Sequence, residues 1–124
     1  MGEITYFLDT YAFIGLLEGK KAYDKFKGVV SVITTKMNLL ELYYYLIRTG
    51  NSKKADFYFD FFSSYCIDVS DSVFKEAAKF KFKNKSKNIS YVDAIGYVLA
   101  RSKGLMFVTG DKEFKDLDGV NFLR

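Results

Sequence analysis

Four acidic residues are the part of this sequence best suited to chemistry, because each lies at the predicted end of a strand or start of a helix. The chain has no histidine, so the usual general base, nucleophile activator and zinc ligand are missing. A cluster of carboxylates still suits a hard divalent cation such as Mg²⁺ or Mn²⁺. The four acids are Asp9, Glu41, Asp93 and Asp111.

The elements that must position these acids are strands that alternate with helices. Asp9 and Asp111 follow short apolar runs that predict buried strands, and Glu41 and Asp93 lie in the opening turns of patterned helices. Such alternation predicts an α/β fold, a three-layer α/β/α sandwich around a mostly parallel sheet of four to five strands. Sites in these sheets form beyond the carboxyl ends of the strands, where Asp9 and Asp111 are expected.

The predicted elements fill one domain that covers residues 1–124, without a linker or a repeat. Thr10 is predicted to cap the first helix, which would leave the Asp9 carboxylate spare. The predicted strands are 4–8, 29–33, 66–69, 106–109 and 120–123, and the predicted helices are 11–17, 20–27, 34 or 35 to 48, 53–64, 70 or 71 to 82, and 90 to 101 or 102.

Composition excludes several classes of protein. A hydrophobic fraction of 49% argues against disorder, and no apolar stretch approaches the length that crosses a bilayer. The first residues lack the basic and apolar regions of a signal peptide. Cys66 is the only cysteine, so it cannot form an internal disulfide and is predicted to be a buried strand thiol. We therefore expect a cytoplasmic protein that does not bind membranes.

Each acid also has an ordinary structural explanation. Asp9 can cap a helix, Asp93 completes a capping box that begins at Ser90, and Asp111 lies in a turn. Glu41 belongs to a narrow polar stripe on a helix that is otherwise apolar, and this stripe faces either water or a polar site. Four acids in a low dielectric would raise one another's pKa, which is unfavourable unless a cation neutralises them. The stripe is Asn38, Glu41, Tyr45 and Arg48.

Taken in order, four short motifs resemble those of the PIN domain, and the length resembles the VapC-type toxins of toxin–antitoxin pairs. The resemblance covers essentially the whole chain. It implies a ribonuclease in which Asp9, Glu41, Asp93 and Asp111 hold one or two Mg²⁺ or Mn²⁺ ions, while Thr10 and Thr109 hydrogen-bond carboxylates or a bound water. The motifs are residues 7–10, 38–42, 91–94 and 108–111, the last followed by Phe114.

Alternatives to a toxin remain open on the sequence. They are a housekeeping RNA-processing nuclease of the same family and a non-catalytic PIN-like domain that binds RNA or acts as a scaffold. Receiver-like domains and haloacid-dehalogenase-type phosphatases need a second acid close to the first one after the first strand. The residues Asp9-Thr10-Tyr11 supply only one.

Basic and aromatic residues suggest partners. The formal net charge is +4, and a basic exterior around an acidic pocket suits a polyanionic substrate. Five lysines before the Asp93 helix either form an electrostatic track for the RNA backbone or are ordinary solvent-exposed residues at a helix end, where the helix dipole favours lysine. Aromatic residues are concentrated on the helices predicted over 34 or 35 to 48 and over 53–64, which favours a partner surface. The resemblance implies a homodimer contact and a groove for an antitoxin segment. The lysines are Lys79, Lys81, Lys83, Lys85 and Lys87.

Overall fold

The computed structural model describes residues 4–28 and 31–124. Within these ranges there are four strands and five α-helices, and four of the helices follow one another between the second and third strands. Two short 3-10 helices, Lys21–Phe26 and Lys112–Phe114, connect them. The elements are β1 (Thr5–Leu8), α1 (Thr10–Leu17), β2 (Ser31–Ile33), α2 (Lys36–Arg48), α3 (Ser52–Ser63), α4 (Asp71–Lys83), α5 (Tyr91–Ser102), β3 (Met106–Thr109) and β4 (Val120–Phe122).

The four strands form one parallel sheet in the order β2-β1-β3-β4. Phe7 of β1 lies opposite Ile33 of β2 and Phe107 of β3, and Thr109 of β3 lies opposite Phe122 of β4. All four strands therefore end at the same edge of the sheet, which we call the carboxyl edge. The predicted α/β fold with a parallel sheet is confirmed.

Side chains that alternate along the central strands divide the interior into two cores. Phe7 and Phe107 pack with α4 and α5 on one face of the sheet. Leu8 and Val108, the next residues along each strand, pack with α1, α2 and α3 on the other face. Both faces are thus covered by helices, as the predicted three layers require.

Gly96 allows α5 to lie close against the sheet. A Cβ atom at this position would lie 2.8 Å from the Phe7 ring and 3.2 Å from the Phe107 ring. Helix α5 leads into the start of β3, so its first turn lies at the carboxyl edge. Close packing at Gly96 therefore fixes where the first turn, which contains Asp93, meets that edge.

The predicted strand at 66–69 is wrong, because this segment is reduced to a single bridge between Cys66 and Thr34. Two hydrogen bonds make the bridge: the Thr34 amide donates to the Tyr65 carbonyl at 3.1 Å, and the Ile67 amide donates to the Thr34 carbonyl at 3.0 Å. Directly after Thr34 the polypeptide turns into α2. The later residues of the segment consequently have no strand beside them.

Smaller differences concern element type and burial. The helix predicted over 20–27 is a 3-10 helix over Lys21–Phe26. Positions 29 and 30 of the second predicted strand lie outside the described residues. Cys66 is half-buried rather than buried, and this burial raises the pKa of its thiol. Among the described residues, no helix has both the length and the apolar character needed to cross a bilayer.

Candidate active site

Asp9 lies at the centre of the carboxyl edge, directly after β1. Its side chain is 1% exposed, and its Oδ1 atom accepts a hydrogen bond from the Ala12 amide at 2.7 Å. Asp9 is therefore the N-cap of α1, and the prediction that Thr10 caps this helix is wrong because Thr10 is already its first residue. The cap occupies one carboxylate oxygen with an amide and fixes the direction of the group.

The surroundings of Asp9 disfavour its charge. Burial raises the pKa of the Asp9 carboxyl well above its usual value, and the negative charges of Asp93 and Asp111 raise it further. Hydrogen bonds from the Thr109 hydroxyl and the Ala12 amide act in the opposite direction and lower the pKa. Burial and the neighbouring charges thus oppose ionisation of Asp9, and a cation beside it would act in the opposite direction.

Thr10 connects the first turn of α1 to α2. Its hydroxyl donates to Oε1 of Glu41 at 2.6 Å and accepts from Nδ2 of Asn38 at 3.2 Å. The Thr35 hydroxyl donates to Oδ1 of Asn38 at 2.6 Å and, as the N-cap of α2, accepts from the Asn38 amide at 3.2 Å. This chain of hydrogen bonds, which we call the Asn38 network, directs the Glu41 carboxylate toward the turn that carries Asp9.

Asn38 is a site residue that sequence reasoning did not single out, since it entered only as one member of the polar stripe. It is fully buried and joins both capping turns. The sequence signal that could have identified Asn38 is its position three residues after a capping threonine and on the same side of the helix as Glu41. The rest of the stripe points elsewhere, because the Tyr45 hydroxyl donates to Glu18 and Arg48 stacks on the Tyr45 ring.

Asp93 approaches the site from α5. Its amide donates to the Ser90 hydroxyl at 3.1 Å, so the predicted cap at Ser90 is confirmed. Burial raises the pKa of the Asp93 carboxyl to about 6, and the charges of Glu41 and Asp111 raise it as well, whereas the Ser90 hydroxyl lowers it. Ser90 thus caps the helix through the Asp93 amide, while the Asp93 carboxyl has a raised pKa.

Asp111 follows β3 and starts the second 3-10 helix. Its Oδ1 atom accepts from the Glu113 amide at 3.0 Å, and its own amide donates to the Thr109 hydroxyl at 3.0 Å. Thr109 is fully buried. Its hydroxyl therefore contacts both the Asp111 backbone and the Asp9 carboxyl, which makes it the link between the two strand ends.

The four predicted acids thus face a common region, in which the charges of Glu41, Asp93 and Asp111 act on one another or on Asp9. Within residues 4–28 and 31–124, however, no three acidic or cysteine side chains lie close enough together to form a ready-made metal site. The donor set fits a hard divalent cation in its chemistry, because all the groups offered are carboxylate oxygens. A cation among them would replace repulsion with attraction.

Comparison with known proteins identifies the family. The PIN domain model matches residues 6–120. The chain belongs to the PIN domain family. No curated protein matches this PIN domain by sequence.

Solved structures resemble this PIN domain over nearly their whole length. VapC20 of Mycobacterium tuberculosis, a toxin that cleaves the sarcin-ricin loop, is 18% identical with a TM-score of 0.78, over 96% of this chain and 99% of that one. A toxin–antitoxin complex from Klebsiella pneumoniae is 17% identical with a TM-score of 0.73, over 94% and 95%. VapBC2 from Rickettsia felis, bound to a promoter DNA fragment, is 17% identical with a TM-score of 0.71, over 98% and 100%. These likenesses show the fold.

The five predicted substrate lysines of the PIN domain line two separate surfaces rather than one track, and three of them belong to α4 while two lie in the turn after it. One group lines a groove between α4 and α5 together with Tyr97 and Arg101. The other group lines a separate surface pocket with Phe82 and Tyr91. The first group is Lys79 and Lys83, and the second is Lys81, Lys85 and Lys87.

Lys87, a member of the second group, lies beside the turn that holds Asp111. The Lys87 ammonium donates to the Glu113 carbonyl at 3.2 Å, and the Asn88 amide donates to the Glu113 carboxylate at 3.1 Å. Glu113 itself donates its amide to Asp111, so this segment touches the turn that holds a site acid. Lys79 instead pairs with Glu76 at 3.2 Å on the helix surface. RNA binding stays a prediction for all five lysines.

Proposed function

We propose that this PIN domain is an endoribonuclease that needs Mg²⁺ or Mn²⁺, hydrolyses RNA phosphodiester bonds and acts as the toxin of a VapBC-type toxin–antitoxin pair. Family membership supports the class of enzyme. The observation that carries the metal dependence is the Asp9 carboxyl, which is 1% exposed and lies within the influence of Asp93 and Asp111. A buried carboxyl with two acidic neighbours is favourable as an anion only beside a cation.

The roles follow from the contacts of each residue. Asp9, Glu41, Asp93 and Asp111 would hold the ion or ions, which lower the pKa of a water nucleophile and stabilise negative charge on the phosphate. Thr10 holds the Glu41 carboxylate through a hydrogen bond of 2.6 Å. Thr109, Thr10 and the Asn38 network act as positioning residues, because they keep the acids in place before substrate arrives.

Partner binding is proposed from exposed apolar side chains on α2 and α3. Leu40, Tyr44 and Ile47 form one stripe along the outer side of α2, and Phe57 and Phe61 are exposed on α3. Large apolar groups on a small domain favour burial against another protein. We propose that these surfaces bind a second copy of the chain and an antitoxin, in agreement with the toxin–antitoxin complexes among the solved structures.

Cleavage of single-stranded RNA tests the proposed activity. The wild-type protein should cleave RNA with Mg²⁺ or Mn²⁺ and lose this activity in excess EDTA. Asp9→Asn should reduce cleavage by at least about a hundredfold, because the metal loses its central charged ligand. Asp68→Asn, which changes an exposed acid outside the site, is the matched control and should cleave as the wild type does. Cleavage that persists in EDTA or in folded Asp9→Asn would contradict the proposal.

A second candidate function is a non-catalytic RNA-binding or scaffold domain. The observation in its favour is that no three acids in the described part of the chain lie within reach of a common ion. Binding of RNA without cleavage, at any concentration of Mg²⁺ or Mn²⁺, would favour this candidate. A housekeeping RNA-processing nuclease would share the cleavage result, and a gene for a small DNA-binding antitoxin directly upstream would distinguish a toxin from it.

A further inference from the structure

Tyr11 packs against the strand end that carries Asp111. A Cβ atom at Gly110 would lie 2.1 Å from the Tyr11 ring and 2.6 Å from the Leu123 carbonyl oxygen. Only glycine allows this approach, so the first turn of α1, the end of β3 and the residues after β4 meet at one point. The Tyr11 ring therefore lies against the residue that precedes Asp111, next to the acidic site.

Arg124 is fixed beside this ring by several independent contacts. The Leu123 amide donates to the Thr109 carbonyl at 2.8 Å, and the Leu123 carbonyl accepts from the buried Tyr23 hydroxyl at 2.7 Å. Nε of Arg124 then donates to the Gly110 carbonyl at 3.0 Å. The guanidinium consequently lies next to the peptide bond that leads into Asp111.

Two cations stand over the same aromatic ring. The Arg124 guanidinium carbon is 5.8 Å from the centre of the Tyr11 ring, and the Lys20 ammonium is 5.3 Å from it. Both distances allow cation–π attraction, which orients each charge. The Gly110 carbonyl that accepts from Nε belongs to the residue before Asp111, and this places the guanidinium beside one acid of the site.

The guanidinium is held but not neutralised. Arg124 is exposed, and among residues 4–28 and 31–124 it forms no ion pair. Its only hydrogen bond in these ranges uses Nε, so both Nη groups can donate. A planar fork with two adjacent donor groups matches the oxygens of a phosphate.

We propose that Arg124, held by Gly110 and Tyr11 and assisted by Lys20, binds an RNA phosphate next to the one that is cleaved. The inference rests on the proposed ribonuclease function and adds a substrate-binding residue to it. The acidic site attracts cations and repels the RNA backbone, so a fixed positive charge at its rim lowers the cost of bringing RNA to the acids. The Arg124 contact carries no base preference, because it recognises the backbone alone.

Steady-state cleavage of single-stranded RNA at several salt concentrations tests the inference, with the full chain and Mg²⁺ or Mn²⁺. Arg124→Gln should raise KM about tenfold with kcat changed less than about twofold, because a charge-assisted contact to ground state and transition state alike is lost. The plot of log kcat/KM against log salt should become shallower by about 0.7, the value for one phosphate contact on a single strand. Arg124→Lys should restore the slope and only part of the KM.

Arg48→Gln is the matched control. Arg48 is also an exposed arginine stacked on a tyrosine ring, at 5.4 Å from the centre of Tyr45, but it lies two turns beyond Glu41 along α2. It should leave KM and the salt slope unchanged. If folded Arg124→Gln keeps the wild-type KM and slope, or loses only kcat, the inference is wrong while the proposed function stands. If the wild-type protein cleaves no RNA, both fall.

Discussion

Helix α2 has a buried polar side, which faces the acidic site, and an exposed apolar side, which faces away from the protein. On the buried side, Asn38 is fully enclosed and bonds to Thr10 and Thr35. On the exposed side, Leu40 and Tyr44 are each 65% exposed. The apolar character of this helix therefore does not mean that the fold encloses it.

The two sides of α2 differ because buried polar groups need hydrogen-bond partners, whereas exposed apolar groups do not. A buried amide or hydroxyl without a partner is costly, and in the described part of the chain every buried side-chain nitrogen or oxygen has a hydrogen-bond partner. Such a network has few alternative arrangements, so it holds Glu41 in place. Exposed apolar groups cost the folded monomer little, and their burial becomes favourable only when a partner binds.

Asn38→Leu, on the buried side of α2, should have the largest effect on the free energy of unfolding. It leaves the Thr35 hydroxyl without its acceptor and removes the donor to Thr10, so we expect the free energy of unfolding to fall by about 2 kcal/mol. RNA cleavage by the folded fraction should fall as well, because Thr10 no longer fixes Glu41. Urea denaturation measures the first effect. Leu40→Ala, on the exposed side of the same helix, is the control and should change stability by less than about 0.5 kcal/mol.

Equal losses in the two variants would contradict the comparison, because they would mean that the two sides of α2 contribute alike to the fold. A destabilised Asn38→Leu variant with unchanged cleavage per folded molecule would contradict only the positioning role of the network.

Tyr44→Ser, on the exposed side of α2, should weaken the proposed dimer contact without affecting the fold. We expect unchanged stability in urea at low protein concentration and a dimer dissociation constant raised by about tenfold, since an exposed aromatic anchor is lost from the proposed contact. Sedimentation equilibrium measures the dissociation constant. Lys53→Ser, an exposed change at the start of α3, is the control. A variant that dimerises as tightly as the wild type would show that another surface carries the contact.

The sequence predicted the parts of the site that depend on strand order. Parallel strands end at one edge, so Asp9 and Asp111 had to be near each other once the sheet was inferred. Glu41 and Asp93 followed from helix starts, which hydrophobic periodicity and capping residues locate well. These are local signals combined with one topological rule.

Features that depend on competition between neighbours could not be predicted in this way. Asp9 and Thr10 are both good caps, and only the position of the first helical turn decides between them. The 66–69 segment has strand-forming residues, but the segment that pairs with it turns into α2 after Thr34. The five predicted substrate lysines are close together in sequence, whereas in the structure they line two separate surfaces. The position of Arg124 depends on tertiary contacts alone.

The smallest expected effect concerns Asp93 of α5, which belongs to the acidic site that the buried side of α2 faces. Its carboxyl has a pKa of about 6, against an ordinary value of 3.8, so the folded protein binds a proton more tightly here than the unfolded chain does. The stabilising contribution of the proton is fully present below about pH 4 and is lost as the pH rises through about 6. Asp93 is partly exposed, and solvent screening limits the effect on stability to about 1 kcal/mol.

Asp93→Asn should therefore be more stable than the wild type at about pH 7.5 in EDTA, and this advantage should disappear near pH 4. Removal of the Asp93 charge also removes one of the causes that raise the pKa of Asp9, so the difference between the two proteins reports the effect of the Asp93 charge on the whole site. Urea denaturation at the two pH values measures it, with Asp68→Asn as the control. Adding Mg²⁺ or Mn²⁺ at the higher pH should reverse the order, because the wild type keeps a ligand that the variant lacks. Parallel stability curves for wild type and Asp93→Asn would mean that this carboxyl is solvated like an ordinary surface acid, and the site would then lack the electrostatic reason to bind a cation beside α5.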